Sequence, residues 1–170
     1  MWTGHRVGGS SREGVDTPVI VLLDSGPLGL VTNPSGTAES LRCKQWLVDL
    51  LGQGIRTLVP EITDYEVRRE LLRAGRTRGL AHLDQLKATT GYVPLTTEAM
   101  LQAAEFWAQA RRQGQPTAPD LALDGDVILA AQAVLLAQQE RDTVVIATTN
   151  VGHLSRFAPA QHWQDIQAPT

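Results

Sequence analysis

The run Val19-Ile20-Val21-Leu22-Leu23, followed at once by Asp24-Ser25-Gly26-Pro27, decides the fold class. It is short, rich in β-branched residues and apolar on both faces, the pattern of a strand buried in a parallel sheet. Its end carries turn chemistry. A second run of the same kind, Thr143-Val144-Val145-Ile146-Ala147-Thr148, stops just before Asn150.

Between these two runs the pattern alternates. Leu41, Trp46, Leu47, Leu50 and Leu51 fall near one face of a helix over Thr37 to Leu51, stopped by Gly52 and Gly54. Ile55 to Val59 is a second strand, closed by Pro60. Helices follow from near Thr63 to Ala74 and from about Arg78 to Thr89. Tyr92 to Leu95 is a short strand whose Pro94 marks an edge or a strand end. Thr97 to Gln113 is an amphipathic helix that Thr97 can cap, and residues 115–123 (QPTAPDLAL) form a loop. The helix from Asp124 to Gln139 is almost wholly apolar between Val127 and Ala137, so it is expected to be buried on several sides. The end of the chain reads as a short helix and a docking tail carrying Trp163 and Ile166. Strands alternating with helices predict an α/β protein with three layers, α/β/α, around a central, mostly parallel sheet.

The chain has 170 residues, of which 42% are hydrophobic, so a disordered polymer is excluded. This length suits one domain, placed at residues 18–167, with a disordered lead-in over 1–17 that lacks a signal-peptide core. The single cysteine, Cys43, excludes an internal disulfide framework and fits a reducing cytoplasm. No run of 18 apolar residues suggests a membrane span. A net charge of −3 excludes a histone-like surface but leaves room for a local basic track.

In parallel sheets, ligands sit beyond the carboxyl ends of the strands. Asp24 and Asn150 follow the two strongest strands. Glu66 falls in the first turn of the helix from Thr63, and Asp124 and Asp126 open the apolar helix. Such helix starts and strand ends can share one rim. Carboxylates crowded about 4 Å apart repel by roughly 4 kcal/mol at an effective dielectric near 20. A cation or protons must offset this, and oxygen-only ligands suit Mg²⁺ or Mn²⁺. Each residue also has a plain reading. Thr63 and Glu66 match a capping box, Asp124 and Asn150 could be N-caps, Asp126 could complement a helix dipole, and Asp24 could be a turn residue.

At these residues the chain resembles the PIN-domain nucleases. The matching pieces are VLLDSGPL (21–28), EITDYEVRREL (61–71), LDGDVILAAQA (123–133) and VVIATTNVGHL (144–154), in family order over about residues 18 to 165. The resemblance implies a PIN-like fold and a metal-dependent endoribonuclease leaving 5′-phosphate and 3′-hydroxyl ends. Asp24, Glu66 and Asp126 match the family's carboxylates and would hold Mg²⁺ or Mn²⁺. Asn150 stands where many members have a fourth Asp, and its carbonyl oxygen brings no charge. Asp124 could supply the missing charge, and Thr148 could add a hydroxyl to water at the ion. Many bacterial members are toxins of toxin–antitoxin pairs, which implies RNA as substrate and a protein antitoxin as partner.

Five arginines between Arg68 and Arg78 face a single acid, Glu70. Arg69, Arg73 and Arg76 are the candidates for RNA-phosphate binding, with Arg111 and Arg112 as an extension. The plain alternative is a solvated face with Arg69 or Arg73 paired to Glu66 or Glu70. Trp46 or Trp107 could lie on a homodimer face. His5, His82, His153 and His162 show no metal spacing, and His153 reads as a surface or packing residue. Two further functions stay open. One is a catalytically degenerate module binding RNA or a protein. The other is a different α/β phosphotransfer enzyme, although residues 24–27 match neither a D-x-D-x-T motif nor a phosphate loop.

Overall fold

The structure, a computed structural model, describes residues 20–114 and 120–167, with the backbone alone at 120 and 121. The lead-in assigned to 1–17 lies outside the described residues, as does the stretch 115–119 of the expected loop.

Five strands form one sheet in the order β3-β2-β1-β4-β5, and every neighbouring pair is parallel. They are β1 (Ile20–Leu23), β2 (Arg56–Pro60), β3 (Tyr92–Val93), β4 (Val144–Thr148) and β5 (Ala160–His162). Helices α1 (Ser25–Thr32) and α2 (Ala38–Gly52) connect β1 to β2, and α3 (Glu61–Arg73) and α4 (Thr77–Thr90) connect β2 to β3. Helices α5 (Thr97–Arg112) and α6 (Asp120–Glu140) carry the chain back across the sheet to β4, and α7 (Val151–Leu154) leads to β5.

The strict alternation of the strands divides the core. Val21, Leu23, Val59, Val145 and Ala147 face one layer, where Leu28, Cys43, Leu50, Leu83, Trp163 and Ile166 cover them. Ile20, Leu22, Leu58, Val144 and Ile146 face the other, under Leu129, Ala130, Ala133 and Leu136 of α6. Helix α5 packs outside α6 through Ala99, Ala103 and Ala110 against Leu123, Val127 and Ala131. So α6 is sandwiched, as its apolar run predicts, and its one polar core residue is satisfied. Gln132 donates from Nε2 to the Val93 carbonyl at 2.9 Å, and its Oε1 faces the Ile62 N–H.

Strand order sets where a site can form. The connections from β1 and β4 leave the sheet in opposite directions, which opens a crevice at the carboxyl ends of these two neighbours. Asp24 and Thr148 stand at that crevice, and β2 delivers α3 beside it.

Several elements differ from the sequence expectation. Residues 25–32 are helix α1, not a turn: Asp24 is its N-cap, and Pro27 lies in the first turn, where a missing N–H costs no helical bond. Gly26 is needed there, since a Cβ would come within 2.7 Å of Thr149 Oγ1. Helix α3 begins at Glu61 because Pro60 turns β2 directly into it. Thr63 is therefore inside the helix, with its hydroxyl 2.9 Å from the Leu23 carbonyl oxygen and 3.0 Å from that of Pro60. The capping box is not formed, and Glu66 sits in the second turn. Helix α6 already includes Asp120, so Asp124 and Asp126 lie within it and not at its mouth. Thr96, not Thr97, caps α5, accepting from the Ala99 N–H at 3.1 Å. The docking tail itself contains a strand, β5, which pairs with β4.

Candidate active site

Asp24 is held at both carboxylate oxygens. Oδ1 accepts from the Ser25 N–H at 2.7 Å, and Oδ2 accepts from the Thr148 hydroxyl at 2.7 Å. The Asp24 N–H continues the β1–β4 ladder by donating to the Ala147 carbonyl at 2.9 Å. The side chain that caps α1 therefore also bridges the carboxyl ends of two strands. Burial pushes its pKa up, opposed by the Thr148 and Ser25 hydrogen bonds.

Glu66 reaches this rim from α3, and Asp126 from α6. The Glu66 carboxylate lies against Gly125, whose missing side chain makes the room. A Cβ at Gly125 would stand 3.1 Å from Glu66 Oε2. Burial, and after it the charge of Asp24, lifts the Glu66 pKa to about 7, with Asp126 adding to the rise and Arg69 opposing it. Burial and the charge of Asp24 also lift Asp126 to about 6, against the pull of His153. These three carboxyl groups, scattered over the sequence, thus share one electrostatic environment.

The donor set suits a hard cation in chemistry, being all oxygen and mutually repulsive. Among the described residues, however, no group of three or more His, Cys, Asp or Glu side chains is arranged to hold a metal ion. The charge of Asp24 nevertheless disfavours ionisation of both Glu66 and Asp126.

The supporting residues divide. Thr148 is at the rim, but its hydroxyl is spent on Asp24 and accepts from the Asn150 N–H at 2.9 Å. Asn150 begins α7 with an exposed side chain that makes no capping hydrogen bond. Asp124 is not brought in. It is exposed and lines a separate, largely apolar cavity of about 430 Å³ with Met100, Trp107 and Val127. Two residues apart on a helix, Asp124 and Asp126 point in different directions. His153, which reads from sequence as surface or packing, places Nδ1 3.5 Å from Asp126 Oδ2. Gly125 and His153 are the site residues that sequence reasoning missed. The D-G-D spacing was the available signal for the first.

The arginine track is partly dissolved into ion pairs. Arg68 turns to Asp64 at 2.9 Å and Asp84 at 2.6 Å, and Arg73 pairs with Glu70 at 2.7 Å. Arg69 lies with its guanidinium carbon 5.2 Å from the centre of the Tyr65 ring. Arg69, Arg73 and Arg76 nevertheless line one wall of a cavity of about 640 Å³ that also touches Ser25, Asn33 and Glu66. Positive charge therefore borders the rim at Glu66. Arg111 lies over Trp107 on α5 and does not line this cavity.

No protein-family model matches the chain, and neither does any curated protein. Solved structures do. A chain of the VapBC2 complex from Rickettsia felis, bound to a DNA fragment from their promoter, matches at 13% identity with a TM-score of 0.63, covering 85% of this chain and 98% of that one. A chain of VapBC-1 from nontypeable Haemophilus influenzae matches at 17% identity and 0.61, covering 86% and 99%. A chain of FitAcB from Neisseria gonorrhoeae matches at 17% identity and 0.59, covering 85% and 99%. The fold is the PIN-like α/β/α fold of these neighbours.

Proposed function

We propose that the protein is a Mg²⁺- or Mn²⁺-dependent endoribonuclease and the toxin of a toxin–antitoxin pair. The observation that carries this reading is the placement of three acids at the carboxyl rim of a parallel sheet: Asp24 is tied to Thr148, and Glu66 lies against Gly125, next to Asp126, with the charge of Asp24 opposing ionisation of the other two. Protein structures with this fold that come from VapBC and FitAcB complexes support the toxin assignment and make a protein antitoxin the expected partner. No described helix is long and apolar enough to cross a membrane, and the reading puts the protein in the cytoplasm with its RNA.

Asp24, Glu66 and Asp126 would hold the ion. When bound, such an ion lowers the pKa of a water and stabilises charge on the leaving oxygen of a phosphodiester. The chain's own contribution is placement. Thr148 and Ser25 fix Asp24, Gly125 admits Glu66, and Arg69, Arg73 and Arg76 hold phosphates beside the rim.

A non-catalytic RNA- or protein-binding module is the second reading, favoured by the exposed, uncharged Asn150. One experiment separates them: labelled RNA with Mn²⁺ and wild type, Asp24→Asn or Asp126→Asn, each checked for folding. Cleavage by wild type alone, abolished by chelation, supports the nuclease. RNA left equally intact by all three would reject it. Induced expression should likewise arrest growth, and Asp24→Asn should relieve the arrest.

A further inference from the structure

His153 belongs to α7, immediately beyond β4, and its Nδ1 stands 3.5 Å from Asp126 Oδ2 on α6. This is an ion-pair contact, longer than an ordinary N–H···O hydrogen bond. Both partners are anchored by the residue that follows them. Val127 is 3% exposed between α5 and α6, and Leu154 is 1% exposed beneath α7 in the layer that covers the sheet. The core therefore sets the backbone positions from which the two side chains meet. The imidazole is still partly open to solvent, at 39% against 23% for Asp126. The nearby rim position, Asn150, brings no charge to this side of the site.

We propose that His153 is a positioning residue for Asp126, holding Oδ2 so that the carboxylate is presented in one orientation to a divalent cation. The proposal rests on the metal-dependent reading above. A carboxylate that is free to rotate must lose that freedom when an ion binds, whereas one already held by a neighbour has less to lose. Partners that orient metal ligands in this way typically change metal affinity about 10–100-fold when removed.

The test reads metal binding directly. Mn²⁺ is titrated into the full-length protein at fixed pH, and free Mn²⁺ is measured by electron paramagnetic resonance. The proteins are wild type, His153→Ala, His153→Gln and Asp126→Asn, with melting curves to confirm folding. Asp126→Asn is expected to lose most binding, and His153→Ala to weaken it about tenfold or more. His153→Gln, whose amide can donate to the same oxygen, is expected to recover much of the loss. Wild-type affinity in His153→Ala, alongside loss in Asp126→Asn, overturns the positioning role and leaves the metal reading standing. Absence of Mn²⁺ binding by the wild type removes both.

Discussion

Asp24 Oδ2 and Thr148 Oγ1 are joined by a 2.7 Å hydrogen bond across 124 positions of sequence. The bond ties the carboxyl ends of β1 and β4, the two neighbouring strands whose connections diverge. The Thr148 hydroxyl also accepts from the Asn150 N–H, so one oxygen orients both an acidic side chain and the start of α7.

Thr148→Val keeps the shape of this buried residue and removes the hydroxyl. It is expected to cost about 1.5–3 kcal/mol in urea unfolding, the range for losing a hydrogen bond to a charged group. RNA cleavage should fall by roughly 10–100-fold, because Asp24 loses its orienting partner. Thr148→Ser should retain most of both. A Val variant that cleaves at the wild-type rate would show that Asp24 is fixed by Ser25 alone.

Gly125→Ala separates stability from function. Alanine is favoured over glycine in a helix by about 1 kcal/mol. The new methyl would stand 3.1 Å from Glu66 Oε2, and the flexible carboxylate can move aside cheaply. The variant should therefore melt at or above the wild-type temperature while losing cleavage activity and Mn²⁺ affinity. Unchanged activity would mean that Glu66 works from a displaced position.

The raised carboxyl groups give a signed pH dependence. Glu66 at about 7 and Asp126 at about 6 lie above their ordinary values of 4.5 and 3.8, which they take when unfolded. Through that window the folded state binds more protons than the unfolded state, so stability falls as pH rises. Without added metal, the contribution is full below the ordinary values and lost by about pH 7. At this chain length each kcal/mol moves the melting temperature by roughly 2–4 °C. Wild type should thus lose more melting temperature between pH 5 and 8 than Glu66→Gln does, and Mn²⁺ should restore it at the higher pH. Equal slopes in the two proteins would refute the coupling.

The arginines should not count equally. Arg73 is engaged with Glu70, whereas Arg69 and Arg76 line the same cavity without that ion pair. Replacing Arg69 or Arg76 by Ala should weaken binding to single-stranded RNA. The salt dependence should flatten by about 0.7 in log–log slope for each phosphate no longer neutralised. Arg73→Ala should have the smaller effect, since the arginine must leave a partner to reach phosphate. Identical slopes for wild type and Arg69→Ala would place the RNA elsewhere.

Much of this architecture was legible in local pattern. Val19 to Leu23 and Thr143 to Thr148 read as buried strands, and the apolar length of α6 pointed to cover on several sides, which the sheet and α5 provide. Asp24, Glu66 and Asp126 were legible as acids at strand ends and near helix starts. The errors were at boundaries. Pro27 looked like a turn because a proline in a first helical turn and one in a β-turn leave the same local trace. Thr63 looked like a cap because its hydroxyl has the right spacing to Glu66, although it is drawn instead to the Leu23 carbonyl on the neighbouring strand.

The sequence by itself determined the alternation of buried strands and helices, and which acids could gather, because burial periodicity and residue chemistry are local properties. Only the tertiary structure decided which of them meet. It joined Thr148 to Asp24, set Glu66 against the bare backbone of Gly125, turned Asp124 outward and brought His153 to Asp126. Those outcomes depend on strand order, on helix phase and on packing distances of a few ångströms. Each residue along a helix turns the side-chain direction by roughly 100°, so two steps are enough to move a carboxylate from the rim to another face.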